Sequence, residues 1–477
     1  MEISKGTELR FSRDTVYMDT IFSNTSSSTY TLKVYNNSNK DIIIPSVYLK
    51  KGAASKYRIS LDGLSGKSFN NFELLAKDSA FIFIETTVDI NQHTSGNEFL
   101  YTDELIFQSG SNQQEVHLVS LIKDAVFLYP QKYNINQYET ITVNDEEIYG
   151  FFLDENDAIN GNELHWTDEK PYVVYGYAAI PPAKQLTIDA GTQIHFHNNS
   201  GLLAFPTSEI EVNGTVANPV VFQGDRLEPA YKEIPGQWNT ILLAPNSKGT
   251  IKNAIIKNAN IGLFANTQTD VVQLENLQIY NCSSYGLVGQ AAKINGKNIV
   301  TNNLGQAALA LSYGGDYTFT HCTFANFWGR SGHTSVAMDN GDGSAEFALN
   351  ARFYNSIIYS NTSESLLLRA SDNQQNFNFI FDHCIIKFTD TFNRVFNQYP
   401  YNFDNNQRFS QCLIARTQNE FAPHFENTHK NKMAITQKAS SLIGYAAPQY
   451  LVPFDIEGNT RTSPADLGAY NHKVITE

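Results

Sequence analysis

Two stretches of this chain concentrate side chains able to do chemistry. Between Gly224 and Trp238 stand Asp225, Arg226, Glu228, Tyr231, Lys232, Glu233 and Trp238. This is a binding loop, or else Asp225, Arg226 and Glu228 form an ion cluster that fixes the loop itself; inserted loops often carry binding. Between Phe324 and Ile358 stand Phe327, Trp328, Arg330, His333, Asp339, Asn340, Asp342 and Glu346. A lyase needs a basic group to take a proton and a cation to neutralise a carboxylate. Arg330, His333 and Asp339 supply parts of that set. Phe327 and Trp328 could stack on a sugar, although Phe327 also suits a core. The run Asp339-Asn340-Gly341-Asp342-Gly343 offers Asp339 and Asp342 to a calcium ion, yet the same residues make ordinary turns. No other cofactor is implied.

Motifs that would fix a reaction are absent. There is no Gly-x-Ser-x-Gly, phosphate loop, dinucleotide fingerprint or His-Glu-x-x-His, so no catalytic residue is assigned. The acidic run Asp154-Glu155-Asn156-Asp157-Ala158-Ile159-Asn160-Gly161 lacks the ligand order of a calcium loop. It reads as a solvated connector over residues 125–170. Cys282, Cys322, Cys384 and Cys412 show no zinc-like spacing.

The bulk numbers bound the rest. A chain of 477 residues exceeds one ordinary core, so at least two domains are expected. Its net charge of −14 lacks the footprint of a nucleic-acid binder. No apolar run reaches membrane-spanning length. The 49 asparagines suit left-handed corners, and 25 tyrosines and 31 phenylalanines suit pleated surfaces. An all-β protein with many tight turns follows.

Residues 1–124 hold short apolar runs such as Tyr30-Thr31-Leu32-Lys33-Val34-Tyr35 and Ala80-Phe81-Ile82-Phe83-Ile84, broken by Asn36-Asn37-Ser38-Asn39 and Asp62-Gly63. This spacing predicts an immunoglobulin-like β-sandwich of about seven strands. Residues 171–450 carry an internal repeat. Asn253-Ala254-Ile255-Ile256 aligns with His321-Cys322-Thr323-Phe324, Asn355-Ser356-Ile357-Ile358, His383-Cys384-Ile385-Ile386 and Gln411-Cys412-Leu413-Ile414. Weaker copies place Ile279 and Val300 in the same column. A unit too short to bury its own apolar face must stack, so a right-handed parallel β-helix is expected. Cys322, Cys384 and Cys412 then share one small-residue column as reduced thiols, or bridge neighbouring turns.

Several segments carry a resemblance. Phe11-Ser12-Arg13-Asp14-Thr15-Val16-Tyr17-Met18-Asp19-Thr20-Ile21-Phe22, Leu186-Thr187-Ile188-Asp189-Ala190-Gly191-Thr192 and Asp455-Ile456-Glu457-Gly458-Asn459-Thr460-Arg461 are similar to a largely uncharacterised family of Bacteroidetes cell-surface lipoproteins. The resemblance covers most of the chain. It implies an Ig-like module, a β-helix whose last turn is capped by residues 451–477 through Tyr470, an outer-membrane or cell-surface location, and anchoring only through a lipidated cysteine that this sequence does not contain. The start Met1-Glu2-Ile3-Ser4-Lys5 reads as that of a mature or trimmed chain. Asp14-Thr15-Val16, Asp19-Thr20-Ile21 and Asp78-Ser79-Ala80 resemble the O-glycosylation signal of these bacteria, which makes Thr15, Thr20 and Ser79 candidate glycan sites. The plainer reading is a strand-edge Asp before a β-former.

The expectation is a non-catalytic surface protein that presents its β-helix to a glycan or protein partner. The alternatives are a polysaccharide lyase or glycoside hydrolase with its groove near the 324–358 insertion, and an accessory subunit of an outer-membrane complex.

Overall fold

The computed structural model describes residues 2–3, 8–109, 112–143, 145–341, 345, 347–371, 374–390, 395, 398–417 and 419–475. The protein is all-β, with 53% strand and 4% helix. Among the described residues, helix occurs only as three-residue 3-10 turns. The chain forms two compact units: Met1–Ala125 with Leu227–Lys232, and Val126–Arg226 with Glu233–Glu477.

The first unit holds a six-stranded and a five-stranded sheet. Period-two alternation sends Leu32, Val34, Ile82, Ile84 and Tyr57 from one sheet, and Val47, Leu105, Val116 and Leu118 from the other, into one core. Thr15 and Thr20 lie on Thr15–Phe22, a strand at a sheet edge, and are partly exposed, as is Ser79 at the start of Ser79–Thr86.

The second unit is dominated by a 27-stranded sheet. Most of its pairings are parallel and join strands about 22 to 34 residues apart in sequence. One register column runs Val126, Tyr172, Ile194, Phe222, Ile256, Ile279, Thr301, Phe324, Ile358, Ile386 and Ile414. All but Thr301 belong to one continuous hydrophobic core. Thr301 takes the position expected for Val300. Counted from the left-handed corner at Asn298, Thr301 is the third residue, as Ile256 is from Asn253 and Phe324 from His321. Its hydroxyl donates to the Ala325 carbonyl at 3.0 Å, which allows a polar group inside. Val300 instead packs outward beside Tyr280 and Ala325.

Four of the seven corners before these strands are asparagine. Asn253, Asn276, Asn298, His321, Asn355, His383 and Gln411 all have φ between 47° and 53°. Asparagine adopts this left-handed backbone more readily than most residues. The Asn276 amide donates to Asn253 Oδ1 at 2.9 Å, and Asn298 donates to Asn276 Oδ1 at 2.8 Å, so the corners are also bonded along the stack. Inside, Phe319, Phe353, Phe381 and Phe409 stack in register, with centroids 5.3, 4.6 and 5.6 Å apart.

The acidic stretch expected as a solvated connector is folded into this unit. Val126–Leu128 pairs in parallel with Tyr172–Val174, and Gly150, Phe151 and Phe152 pair with Tyr177, Ala178 and Ala179. Leu128, Phe151, Leu153, Leu164 and Trp166 are buried in the core, which outweighs the surrounding charge. The carboxylates close turns: Asp157 Oδ1 accepts from the Ile159 and Asn160 amides at 2.8 and 2.7 Å, and Glu163 accepts from the Asp154 amide at 3.1 Å.

The C-terminal segment does not cap the last strand. Tyr470 packs with Tyr280, Val300, Ala325, Met433 and Ile456 against the middle of the stack. Arg461, 4% exposed, donates to Asn298 Oδ1 at 3.0 Å and to the Gly468 carbonyl at 2.9 Å. The apolar core near the last strands is closed by Phe388, Tyr401, Phe403 and Phe409.

Candidate functional site

Outward-facing residues of the large sheet fall into three kinds. Lys252, Gln273, Glu275 and Lys297 are polar and open to solvent. Ile357, Tyr359 and Ile385 are apolar and are covered by Ile435, Ala439 and Leu442 and by Leu467 of the C-terminal segment. The third kind forms a register column of Ala179, Leu203, Leu242, Phe264, Val288, Ala310, Ala337 and Leu367. At its start, Ala179 and Leu203 pack under Ile141, Val143 and Ile148 of a β-hairpin. From Phe264 to Leu367 the column is partly exposed and floors a groove of about 820 Å³.

The groove crosses Ile261–Asn266, Tyr285–Lys297, Ala307–Thr320, Thr334–Asp339 and Leu366–Arg369. Four gaps between five strands give a length of about 19 Å. Tyr285, Gln306, His333, Thr334, Thr362 and Glu364 line one side, and Ser312, Asp339 and Arg369 the other. Each strand here is apolar on both faces: Leu263, Leu287, Leu309, Val336 and Leu366 point to the core while their neighbours point to the groove. Such continuous runs ordinarily belong to strands buried on both sides.

The polar groups are held on opposite sides. The Thr334 hydroxyl donates to the Glu364 carbonyl at 3.1 Å, so Glu364 sits beside the start of Thr334–Asp339. Asp339 ends that strand and is the register partner of Arg369. Five residues of strand separate the two sides by about 16 Å along the backbone, whereas a glycosidase pair needs its carboxyl groups roughly 5–10 Å apart. His333 is 7% exposed. Its Nε2 lies 2.6 Å from Asn361 Oδ1, and Nδ1 is buried with no hydrogen-bond partner among the described residues. Close by, Lys387 is 5% exposed and donates to the Ser360 carbonyl at 3.0 Å; burial pushes its pKa down.

Of the residues singled out from sequence, His333 and Asp339 line this groove. Trp328 is partly buried, its carbonyl accepting from Asn361 Nδ2 at 3.0 Å, and Arg330 is exposed. Asp342 lies outside the described residues. Among those residues, no three His, Cys, Asp or Glu side chains converge as a metal cage. Asp225 lies 2.7 Å from His197 Nδ1, and that hydrogen bond raises the His197 pKa. Arg226 is exposed in the second unit, while Glu228 and Tyr231 belong to the first, where Ser28 donates to Glu228. Trp238 is fully buried, stacked on Phe196 at 4.4 Å and donating to the Lys257 carbonyl at 2.9 Å. It is a core residue, not part of a binding loop, because its ring fills the interior beside Phe196 while its N–H finds the Lys257 carbonyl.

Sequence reading missed the groove floor and Tyr285, Gln306, Glu364 and Arg369. The available signal was the unbroken apolar runs Leu287-Val288, Ala308-Leu309-Ala310-Leu311 and Leu366-Leu367-Leu368, which carry one apolar residue too many for a strand with a wet face.

No protein-family model matches the chain, and no curated protein matches it. Among solved structures, one match is to a family 123 glycoside hydrolase from Clostridium perfringens, studied for glycolipid glycan hydrolysis. It has 6% identity and a TM-score of 0.17, and covers 24% of this chain and 26% of that one. Another is to PapD-like domain 7 of human CEP192, with 8% identity and a TM-score of 0.16, covering 26% of this chain and 93% of that domain. Likeness this low carries no argument about fold or function.

Proposed function

We propose that this chain is a non-catalytic surface-binding protein, in which an Ig-like β-sandwich is joined to a right-handed parallel β-helix whose outer groove receives a glycan or protein partner. The eleven-residue register column supports the β-helix reading, and two sheets enclosing one core support the sandwich. Membership of the Bacteroidetes surface-lipoprotein family, and with it an outer-membrane location and a lipid anchor, rests on the sequence segments described above.

One observation carries the functional reading. The face floored by Phe264, Val288, Ala310, Ala337 and Leu367 is apolar like the covered faces of the sheet, yet it lies open with polar groups along both sides. Contiguous exposed apolar surface rimmed by polar residues is a mark of binding sites. The separation of Glu364 from Asp339 supports binding without cleavage.

The test is incubation of the full chain with a polysaccharide panel, followed by both affinity electrophoresis and chain-length analysis. Retarded migration with unshortened polymer is expected. Release of reducing ends or unsaturated products would overturn the non-catalytic reading in favour of a hydrolase or lyase.

A further inference from the structure

We infer that the groove takes an uncharged oligosaccharide of about four sugars, an assignment that rests on the binding reading above. Three observations on the groove point the same way.

The first is its floor. Phe264 and Val288 at one end and Leu367 at the other present broad apolar surface, while Ala310 and Ala337 between them leave depth. A sugar ring has an apolar C–H face that packs on such surfaces, and Tyr285 adds a ring with a polar tip. The centre formed by two alanines admits a ring lying flat on the floor.

The second is the distribution of polar groups. Acceptors and donors sit along both sides rather than at one point, and Glu364 and Arg369 are exposed on opposite sides of it. Carboxylates accept from hydroxyls and guanidinium donates to them, in charge-assisted hydrogen bonds stronger than neutral ones. A ligand with hydroxyls all along its edges satisfies this arrangement. An apolar ligand would leave these groups unpaired, which is costly.

The third is charge and length. Asp339 and Arg369 are register partners on adjacent strands, so they offset each other. Glu364 then leaves the groove acidic, in a protein whose net charge is −14. Uronic-acid and sulfated glycans are disfavoured by both. Adjacent strands are spaced by ~4.8 Å, roughly the advance of one sugar in an extended chain, so the floor accommodates about four.

The test is a printed array of uncharged oligosaccharides of two to six sugars, with uronic-acid and sulfated oligosaccharides and extended hexapeptides alongside. Calorimetry then follows any binder, with the wild-type chain, Ala310→Trp and Glu364→Gln. Ala310→Trp fills the middle of the groove from a partly exposed position, and unchanged melting temperature would show that the fold tolerates it. The expected result is binding of uncharged glycans whose affinity climbs to four sugars and then levels. Ala310→Trp should weaken it at least 100-fold and Glu364→Gln about tenfold. Binding only of charged glycans or peptides, abolished by Ala310→Trp, would overturn the ligand class and leave the groove standing as a binding site. Uncharged-glycan binding indifferent to Ala310→Trp would overturn the groove reading itself. Silence across the whole array would overturn the assignment to glycans.

Discussion

His321 occupies a corner that the neighbouring strands fill with asparagine at 276, 298 and 355. It is fully buried, with Nδ1 3.2 Å from the Gly468 carbonyl and Nε2 accepting from Asn355 Nδ2 at 3.1 Å. That pattern requires the neutral ring, since a second ring proton would displace the Asn355 donor. Burial, with Arg461 acting in the same direction, pushes its pKa from 6.5 down to about 3. An unfolded His321 takes a proton near its ordinary value, so stability is full above that pH and falls as pH drops towards the folded value. The loss is at most ~1.4 kcal/mol per pH unit. Denaturant unfolding from pH 7 to pH 4 should show this loss in the wild type and a flatter profile in His321→Asn, which keeps the left-handed corner. Equal slopes in both proteins would refute the assignment. At this scale the sequence was informative: the recurring Asn and His before each apolar pair marked the corners. It misled at Val300, because a valine looks like the apolar member of a pair. Only the hydrogen bond from Thr301 to Ala325 shows why a threonine belongs inside.

At the scale of elements, the C-terminal segment is held on the flank of the stack by Arg461. Its guanidinium reaches Asn298, Phe454 and Gly468, while Asp455 Oδ1 accepts from the Glu457 and Asn459 amides at 3.0 and 2.8 Å to shape the turn that delivers it. Removing the donor leaves three neutral acceptors unsatisfied, at about 1–3 kcal/mol for each that is buried. Arg461→Ala should therefore lower stability by several kcal/mol and open residues 451–475 to limited proteolysis while the rest of the stack resists. Unchanged cleavage would contradict the role given to this side chain. The sequence marked this segment as a distinct closing element but not where it lies. A motif names a turn, whereas its docking site is a tertiary property of Tyr280, Val300 and Ala325, three residues from three different strands. The connector fails for the opposite reason. Its charges are conspicuous in the sequence, and the apolar residues that decide its burial, Leu128, Phe151 and Trp166, are spread thinly among them.

At the scale of the molecule, two separate cores serve the two units. Leu105→Ala and Phe353→Ala each empty a fully buried site, at about 2–5 kcal/mol. Differential scanning calorimetry should resolve two transitions, with Leu105→Ala lowering one and Phe353→Ala the other. A single transition lowered by both would show that the units unfold as one. The all-β class and the repeat were legible because stacking demands like residues at like positions. The groove was not, because it is made of residues that look like core. Phe264, Val288 and Leu367 differ from their buried neighbours only in lacking a cover, and no local pattern records an absence of that kind.

The claim that this uncovered face is the ligand surface is tested most directly by hydrogen–deuterium exchange of the full chain with and without a saturating glycan from the array. The account predicts slowed exchange confined to residues 261–266, 285–290, 307–312, 334–339 and 366–369, on adjacent strands. Protection centred instead on the 224–238 loop, or on the first unit, would contradict it.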